Sequence, residues 1–232
     1  MYPIFYTINK ALDEFNKKFS FEPNDNAFFI NNKYFMSGDA EIYWGIIKTL
    51  QPKNIIEIGG GFSSILAHQA SEEFKTNLVV IEPNPSEHLT LYSEDKFRII
   101  KSKVQTLEPK YFGLLESGDI LFIDSSHRYR EGTDVWFLLH EVLPKLKSGV
   151  YVHFHDFILP DKYNDLYSEQ DWNEQEELEK LIESPSEWHL VWCGSYIHRD
   201  SVEEMKCKFK TYSEMLKAYP KAKASSLWLV KR

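Results

Sequence analysis

Cysteine is scarce in this chain: Cys193 and Cys207 are the only two among 232 residues. Two cysteines cannot build the disulfide framework of a small secreted fold, and they fit a reducing, cytoplasmic compartment. No apolar run approaches the roughly 18 residues that a membrane-crossing helix needs. The opening Met1 to Tyr6 is apolar but short and lacks a basic flank, so a secretory leader is not expected. A basic excess is missing too. With 27 Lys and Arg against 35 Asp and Glu, the net charge is −8. That balance speaks against a nucleic-acid footprint, which concentrates positive charge on one face. The one basic stretch, Lys206 to Lys223, is broken by aromatics and acids and reads as a solvated helix face. Internal repeats and low-complexity tracts are absent.

What is present is ordinary in bulk and specific in pattern. Hydrophobic residues make up 43% and charged residues 27%, as in an ordinary globular protein, while aromatics at 15% are high. That excess suggests ring-lined surfaces or a lobe packed around Phe and Tyr. The length suits one well-buried domain. In Asn54-Ile-Ile-Glu-Ile-Gly-Gly-Gly-Phe-Ser-Ser64, a short apolar run breaks into three glycines and then a helical pattern. This is a strand, a tight turn and a helix start, where a ligand meets the backbone closely and unpaired amides face it.

Three further runs repeat the arrangement. Leu78-Val-Val-Ile-Glu-Pro83 ends in an acid a little over twenty positions past the first glycine, where a carboxylate can bind both ribose hydroxyls. Asp119-Ile-Leu-Phe-Ile-Asp124 runs into Ser-Ser-His127, and Gly149-Val-Tyr-Val-His-Phe-His-Asp156 ends in His-Asp. Polar groups at the C-terminal ends of successive strands mark the ligand edge of an open α/β sheet. The spacing predicts strands near 54–58, 78–82, 98–101, 119–123, 149–155, 188–193 and 226–231. Helices are predicted near 4–19, 39–50, 62–74, 86–95, 130–146 and 172–183, with Asp39 as a helix N-cap. Alternation of this kind implies a parallel sheet with helices on both faces. Residues 1–37 read as a helical lead-in or cap, and 38–232 as the main domain. Two inserts, near 157–171 and 195–225, leave the ligand edge, the second with a helical pattern around Met205 to Leu216.

Together, Glu57-Ile-Gly-Gly-Gly-Phe-Ser63, Ile81-Glu-Pro83, Phe122-Ile-Asp-Ser-Ser-His127 and Val152-His-Phe-His-Asp-Phe157 resemble the class I S-adenosylmethionine-dependent methyltransferases. They look most like a bacterial branch associated with surface-sugar and natural-product biosynthesis. The resemblance runs from about Asp39 to the C-terminus and includes Trp172-Asn-Glu-Gln175. It implies a Rossmann-like, doubly wound, seven-stranded and mostly parallel sheet with an antiparallel last strand. It also implies S-adenosyl-L-methionine as cofactor. Glu57, Gly59, Gly60, Gly61 and Ser63 would then serve its methionine portion, Glu82 and Pro83 its ribose, and Val104 and Gln105 its adenine, with Asp124 beside the reacting end. A nicotinamide dinucleotide fits less well, because the third glycine of G-x-G-x-x-G is replaced by Ser64 and no second mononucleotide half follows.

Methyl transfer to a hydroxyl needs positioning and a proton acceptor. His127 and His155 are the candidate bases, with Asp124 beside them as a third catalytic candidate. His153 shares a strand face with His155 and is expected to be the packed one of the pair. Asp124 and Asp156 end adjacent strands and can share a divalent cation. His155 stands where related enzymes carry a second acid, which disfavours a metal without removing it. Tyr163, Tyr167 and Trp172 suggest a ring-lined acceptor wall, and Asn173 and Gln175 suggest hydrogen bonds to acceptor hydroxyls. The alternative for Trp172 to Gln175 is a plain helix start. The expected function is O-methylation of a sugar, glycan precursor or natural product. A non-catalytic cofactor-binding module in a biosynthetic complex is the alternative. A homodimer is left open.

Overall fold

A computed structural model describes residues 3–24, 27–163 and 169–232. Seven apolar runs form one sheet: β1 Asn54–Ile58, β2 Asn77–Ile81, β3 Arg98–Ile100, β4 Ile120–Ile123, β5 Tyr151–Phe154, β6 Trp188–Cys193 and β7 Leu227–Lys231. Their order is β3-β2-β1-β4-β5-β7-β6, with β7 antiparallel to both β5 and β6. The expected architecture is thus realised, each strand within one residue of its predicted ends except β5, which starts two residues later. The chain reverses its winding between β1 and β4, so the crevice of an open α/β sheet lies beyond their C-terminal ends.

Side chains alternate between two apolar layers. Ile55, Ile120, Phe122 and Trp228 face helices α1 (Pro3–Lys18), α2 (Asp39–Leu50) and α3 (Phe62–Ser71). Ile56, Ile58, Leu121, Ile123, Val152 and Phe154 face the opposite layer, which includes Leu138, Val142 and Leu178. Burial on both faces explains why these strands are nearly continuous runs of Ile, Leu, Val and Phe. The lead-in shares the first layer rather than standing apart from it. Phe5 meets Trp192 and Phe209 edge-on, and Trp44 Nε1 donates to the Ala11 carbonyl at 3.0 Å.

Two expectations need correction. Residues 130–146 do not form one α-helix. A short helix α5 (Asp134–Phe137), capped by the Thr133 hydroxyl, passes into a π turn at Leu138–Val142 and a 3-10 turn at Leu143–Lys145. Pro144 lacks an amide proton and cannot continue α-helical pairing, so the ladder changes register before it. Asp39 is not the N-cap of α2 either; Gly38 is, with a φ of 97° that glycine tolerates. The capping carboxylate belongs to Glu41, which accepts from the Gly38 amide at 2.6 Å and the Ser37 hydroxyl at 2.8 Å. The remaining α-helices among the described residues are α4 (Glu87–Ser93), α6 (Gln175–Ile182), α7 (Gly194–Lys208, kinked at Ser201) and α8 (Tyr212–Ala218). No helix among the described residues is long and apolar enough to cross a membrane.

Glu41 is fully buried, and burial pushes its pKa up to about 7 against the hydrogen bonds that favour its charged form. A raised acid pKa stabilises the fold most below the unfolded value of 4.5, and that stability is lost as pH rises through about 7. Denaturant titrations from pH 4.5 to 7 should therefore show a loss of about 3 kcal/mol in the parent that Glu41→Gln does not share. Equal pH slopes in the two proteins would refute this.

Candidate active site

The glycine turn after β1 opens the first cavity, of about 560 Å³, at the ends of β1, β2 and β4. Gly59, Glu82, Pro83, Val104, Gln105 and Asp124 line it, as do Ile58 and Lys103. Gly59 has a φ of 79°, and a Cβ there would lie 1.9 Å from the Asp124 carbonyl oxygen. A Cβ on Gly60 would meet Val80 at 2.5 Å, whereas one on Gly61 would meet nothing within 4 Å. The first two glycines are therefore demanded by contact between chain segments, and closeness to a ligand is not their only reason. Glu82 sits at the cavity wall, its Oε1 accepting from the Asn84 amide at 2.8 Å.

Glu57, Gly60, Gly61 and Ser63 do not line this cavity. Alternation along β1 sends Glu57 to the α2–α3 side, where it is fully buried. Its Oε1 accepts from Ser63 Oγ at 2.5 Å and Ser64 Oγ at 3.0 Å, which pins the start of α3. Burial pushes its pKa up to about 8, against the two serine hydrogen bonds, with the Asp124 charge adding to the rise. Glu57 and Ser63 thus shape the turn from behind.

Beyond Asp124 the chain gathers four carboxylates around two imidazoles. His127, 5% exposed, has Nδ1 2.7 Å from Glu174 Oε1. Its Nε2 faces Asp124 Oδ1 at 3.5 Å and Asp156 Oδ2 at 3.7 Å. His155, 6% exposed, has Nδ1 3.6 Å from Asp156 Oδ2 and 3.8 Å from Asp124 Oδ2. Its Nε2 lies 3.8 Å from Asp39 Oδ2, beyond hydrogen-bond reach. His127 and Asp156 both hold left-handed backbone, with φ of 58° and 54°. The His127 carbonyl accepts the Asn173 and Glu174 amides at 3.0 and 3.3 Å, so ring and backbone are clamped to one segment.

This electrostatic setting decides the protonation states. Burial would lower the His127 pKa, but Glu174 and Asp124 outweigh it and push the value up to about 10. Burial opposes protonation of His155 as well, and Asp156 and Asp124 raise its pKa well above the ordinary value. Asp156, which burial alone would raise, is drawn down to about 2 by His155 and His127. His153 is the packed member of its pair: it stacks on Phe122 at 3.8 Å, and burial drives its pKa well below the ordinary value. Asp124, His127 and Asp156 each offer one ligand atom within 4.8 Å of the others, a set able to hold a metal ion.

The predicted acceptor wall is only partly assembled. Trp172 packs on the His127 ring, with centroids 4.2 Å apart, and edge-on against Tyr163 at 5.7 Å. Tyr167 lies outside the described residues. Asn173 accepts from the Tyr129 amide at 2.6 Å and donates to the Tyr129 carbonyl. Gln175 accepts from the Ile158 amide and donates to the Asp161 carbonyl. Both side-chain amides therefore brace loops. Sequence reasoning missed Glu174, which sits between the two residues it chose, and Asp39, which it read as a cap. An acid at a helix start is so ordinary that neither position signalled its role.

Residues 56–157, fewer than half of the chain, match the family model described as a methyltransferase domain. An uncharacterized protein of Archaeoglobus fulgidus is 33% identical over 98 residues, covering 40% of this chain and 44% of its own length. The chain thus spans less than half the length of the curated relative it matches. Among solved structures, a Podospora anserina methyltransferase with S-adenosylhomocysteine bound aligns over 100% of this chain and 89% of its own, at 14% identity and a TM-score of 0.45. A mycolic acid cyclopropane synthase aligns over 100% and 99%, at 9% identity and a TM-score of 0.44. Structural likenesses at this level carry no argument about this chain. The family match is confined to that central segment, which is similar to a methyltransferase domain.

If Glu174 holds the proton on His127, Glu174→Gln should move the His127 titration down from about 10 toward the ordinary imidazole range. Imidazole resonances followed by NMR across pH 5 to 11 would report it, and an unmoved His127 midpoint would remove Glu174 from the cluster.

Proposed function

We propose that this protein is an S-adenosylmethionine-dependent methyltransferase that methylates a hydroxyl oxygen on a small acceptor, a sugar, glycan precursor or natural product. The observation that carries this reading is a junction of two cavities. Asp124 lines the first cavity, and Asp156 lines a second of about 300 Å³. The two carboxylates share His127 Nε2 between them. A donor held on one side and a hydroxyl on the other would meet there.

The first cavity fits the cofactor by its donor set: a strand-end carboxylate at Glu82 for vicinal hydroxyls, glycine backbone at Gly59, and the Lys103–Gln105 segment on the far wall. S-adenosylmethionine, when bound, supplies an electrophilic methyl group on a sulfonium. The protein's share is mainly to align two reactants and accommodate one proton. Protonated His127 and His155 keep Asp156 ionised, so its oxygens can accept a hydrogen bond from the acceptor hydroxyl and orient it. An imidazolium has no free lone pair, so either histidine can act as base only after giving up its own proton.

That requirement favours one second reading. Asp124, His127 and Asp156 would hold a divalent cation, with Glu174 accepting from Nδ1 as carboxylates do behind metal-bound histidines. Such an ion would stabilise the acceptor oxyanion. A non-catalytic binding module is disfavoured by the concentration of acids and imidazoles at the junction.

Calorimetric titration with S-adenosylhomocysteine tests the cofactor site: Glu82→Ala should weaken binding at least about tenfold. Asp156→Asn should retain that binding yet lower S-adenosylhomocysteine release in an acceptor-panel assay by about a hundredfold. Undiminished turnover in Asp156→Asn would overturn the junction as the reaction site. For the cation, Mn²⁺ titration followed by electron paramagnetic resonance should show binding to the parent that Asp124→Asn weakens at least about tenfold. A parent that leaves Mn²⁺ free would dismiss that reading.

A further inference from the structure

The second cavity has an acidic floor and a basic mouth. Asp39, His155 and Asp156 lie on its floor, and Lys33, Lys221 and Lys223 join its lining from two loops. This concentration runs against the composition, since acids outnumber Lys and Arg 35 to 27. Lys223 is paired with Asp161. Lys33 and Lys221 are exposed and make no ion pair among the described residues.

The mouth is built rather than incidental. Lys33 occupies the tip of a turn at a φ of 71°. Asn32, 5% exposed, closes that turn by donating to the Phe29 and Phe35 carbonyls and accepting from the Tyr34 and Phe35 amides. The second loop is tied to the first by Tyr219 Oη, which donates to Asn31 Oδ1 at 2.7 Å. It is tied to the floor by the Ser225 and Ser226 amides, which donate to Asp39. Two segments almost 190 residues apart in sequence therefore hold their lysines over one opening. On the floor, His155 lines this cavity, and its Nε2 is buried with no hydrogen-bond partner among the described residues.

We infer that the acceptor carries an anionic group, a carboxylate or a phosphate, which Lys33 and Lys221 hold at the mouth while its hydroxyl reaches Asp156 and His155 on the floor. This rests on the O-methyltransferase reading given above and adds the substrate's charge and its orientation. The sign reversal sets the orientation. An anion at the floor would face Asp39 and Asp156, so the charged end is directed outward and a hydroxyl some distance from it is presented for transfer. Exposed ammonium groups form charge-assisted hydrogen bonds with either kind of anion, and these weaken as salt rises.

The test titrates the S-adenosylhomocysteine-loaded protein with glucose 1-phosphate, glucuronate and glucose at one fixed ionic strength. At least one anionic probe should bind about tenfold tighter than glucose. The Lys33→Ala/Lys221→Ala double variant should lose that preference. The phosphate and carboxylate arms identify which anion is taken. Equal binding of glucose and both anions, no binding of either anion, or a preference that survives the double substitution would each overturn the inference. Both lysines are exposed, so thermal melts of the double variant should match the parent and exclude misfolding. S-adenosylhomocysteine titrated alone separates the two levels: a parent that fails to bind it defeats the transferase reading, whereas a parent that binds it but ignores charge defeats only this inference.

Discussion

The arrangement of the site depends on one buried carboxylate. Asp39, the first residue of α2, accepts from the Ser225 amide at 3.0 Å, the Ser226 amide at 2.9 Å and the Ser226 hydroxyl at 2.5 Å. It thereby welds the start of a helix to the segment that leads into β7. The Ser225 carbonyl in turn accepts from the Phe157 amide at 2.7 Å, and its hydroxyl reaches Asp156 at 3.3 Å. The exit of β5, which carries His155 and Asp156, is positioned through that bridge. A charge-assisted bond made inside the fold is stronger than its neutral counterpart, and its loss leaves several buried donors unpaired.

The same carboxylate belongs to a local excess of negative charge. Asp39, Asp124, Asp156 and Glu174 surround two imidazoles, so acidic groups outnumber basic ones four to two in the cluster. Desolvating such a group is costly unless compensating charge is close. Protons supply part of the compensation, and the sulfonium of the proposed cofactor or a divalent ion would supply more. One arrangement of acids thus accounts for the raised histidines and for the affinity that the site should show toward cationic ligands.

Much of this was legible in the sequence. Strand ends were found because buried parallel strands are short apolar runs, and polar residues at their C-terminal ends interrupt those runs visibly. Glu82, Asp124, His127, His155 and Asp156 were recognisable on that ground alone. The resemblance assigned Glu57 to the methionine end of the cofactor; strand alternation turns its side chain to the α2–α3 layer, where Ser63 and Ser64 hold it. Asp39 and Glu174 escaped because an acid beginning a helix has an ordinary local explanation, and only tertiary contact distinguishes the two. The π and 3-10 turns that follow α5 escaped for a different reason: apolar periodicity sees a helical face but not the change of hydrogen-bond ladder that Pro144 imposes. The lysines at the second cavity are far apart in the chain and carry no shared spacing.

The left-handed backbone at His127 and Asp156 has a thermodynamic consequence. For an L-residue this conformation costs on the order of 1 kcal/mol, which glycine avoids. By backbone preference alone, glycine would serve folding better at both positions, yet the chain places two members of the acid–imidazole cluster there. The site is therefore a region where the protein is less stable than its own fold permits. Variants selected only for heat resistance should tend to relax these two turns, and would do so by erasing the groups that meet at the junction.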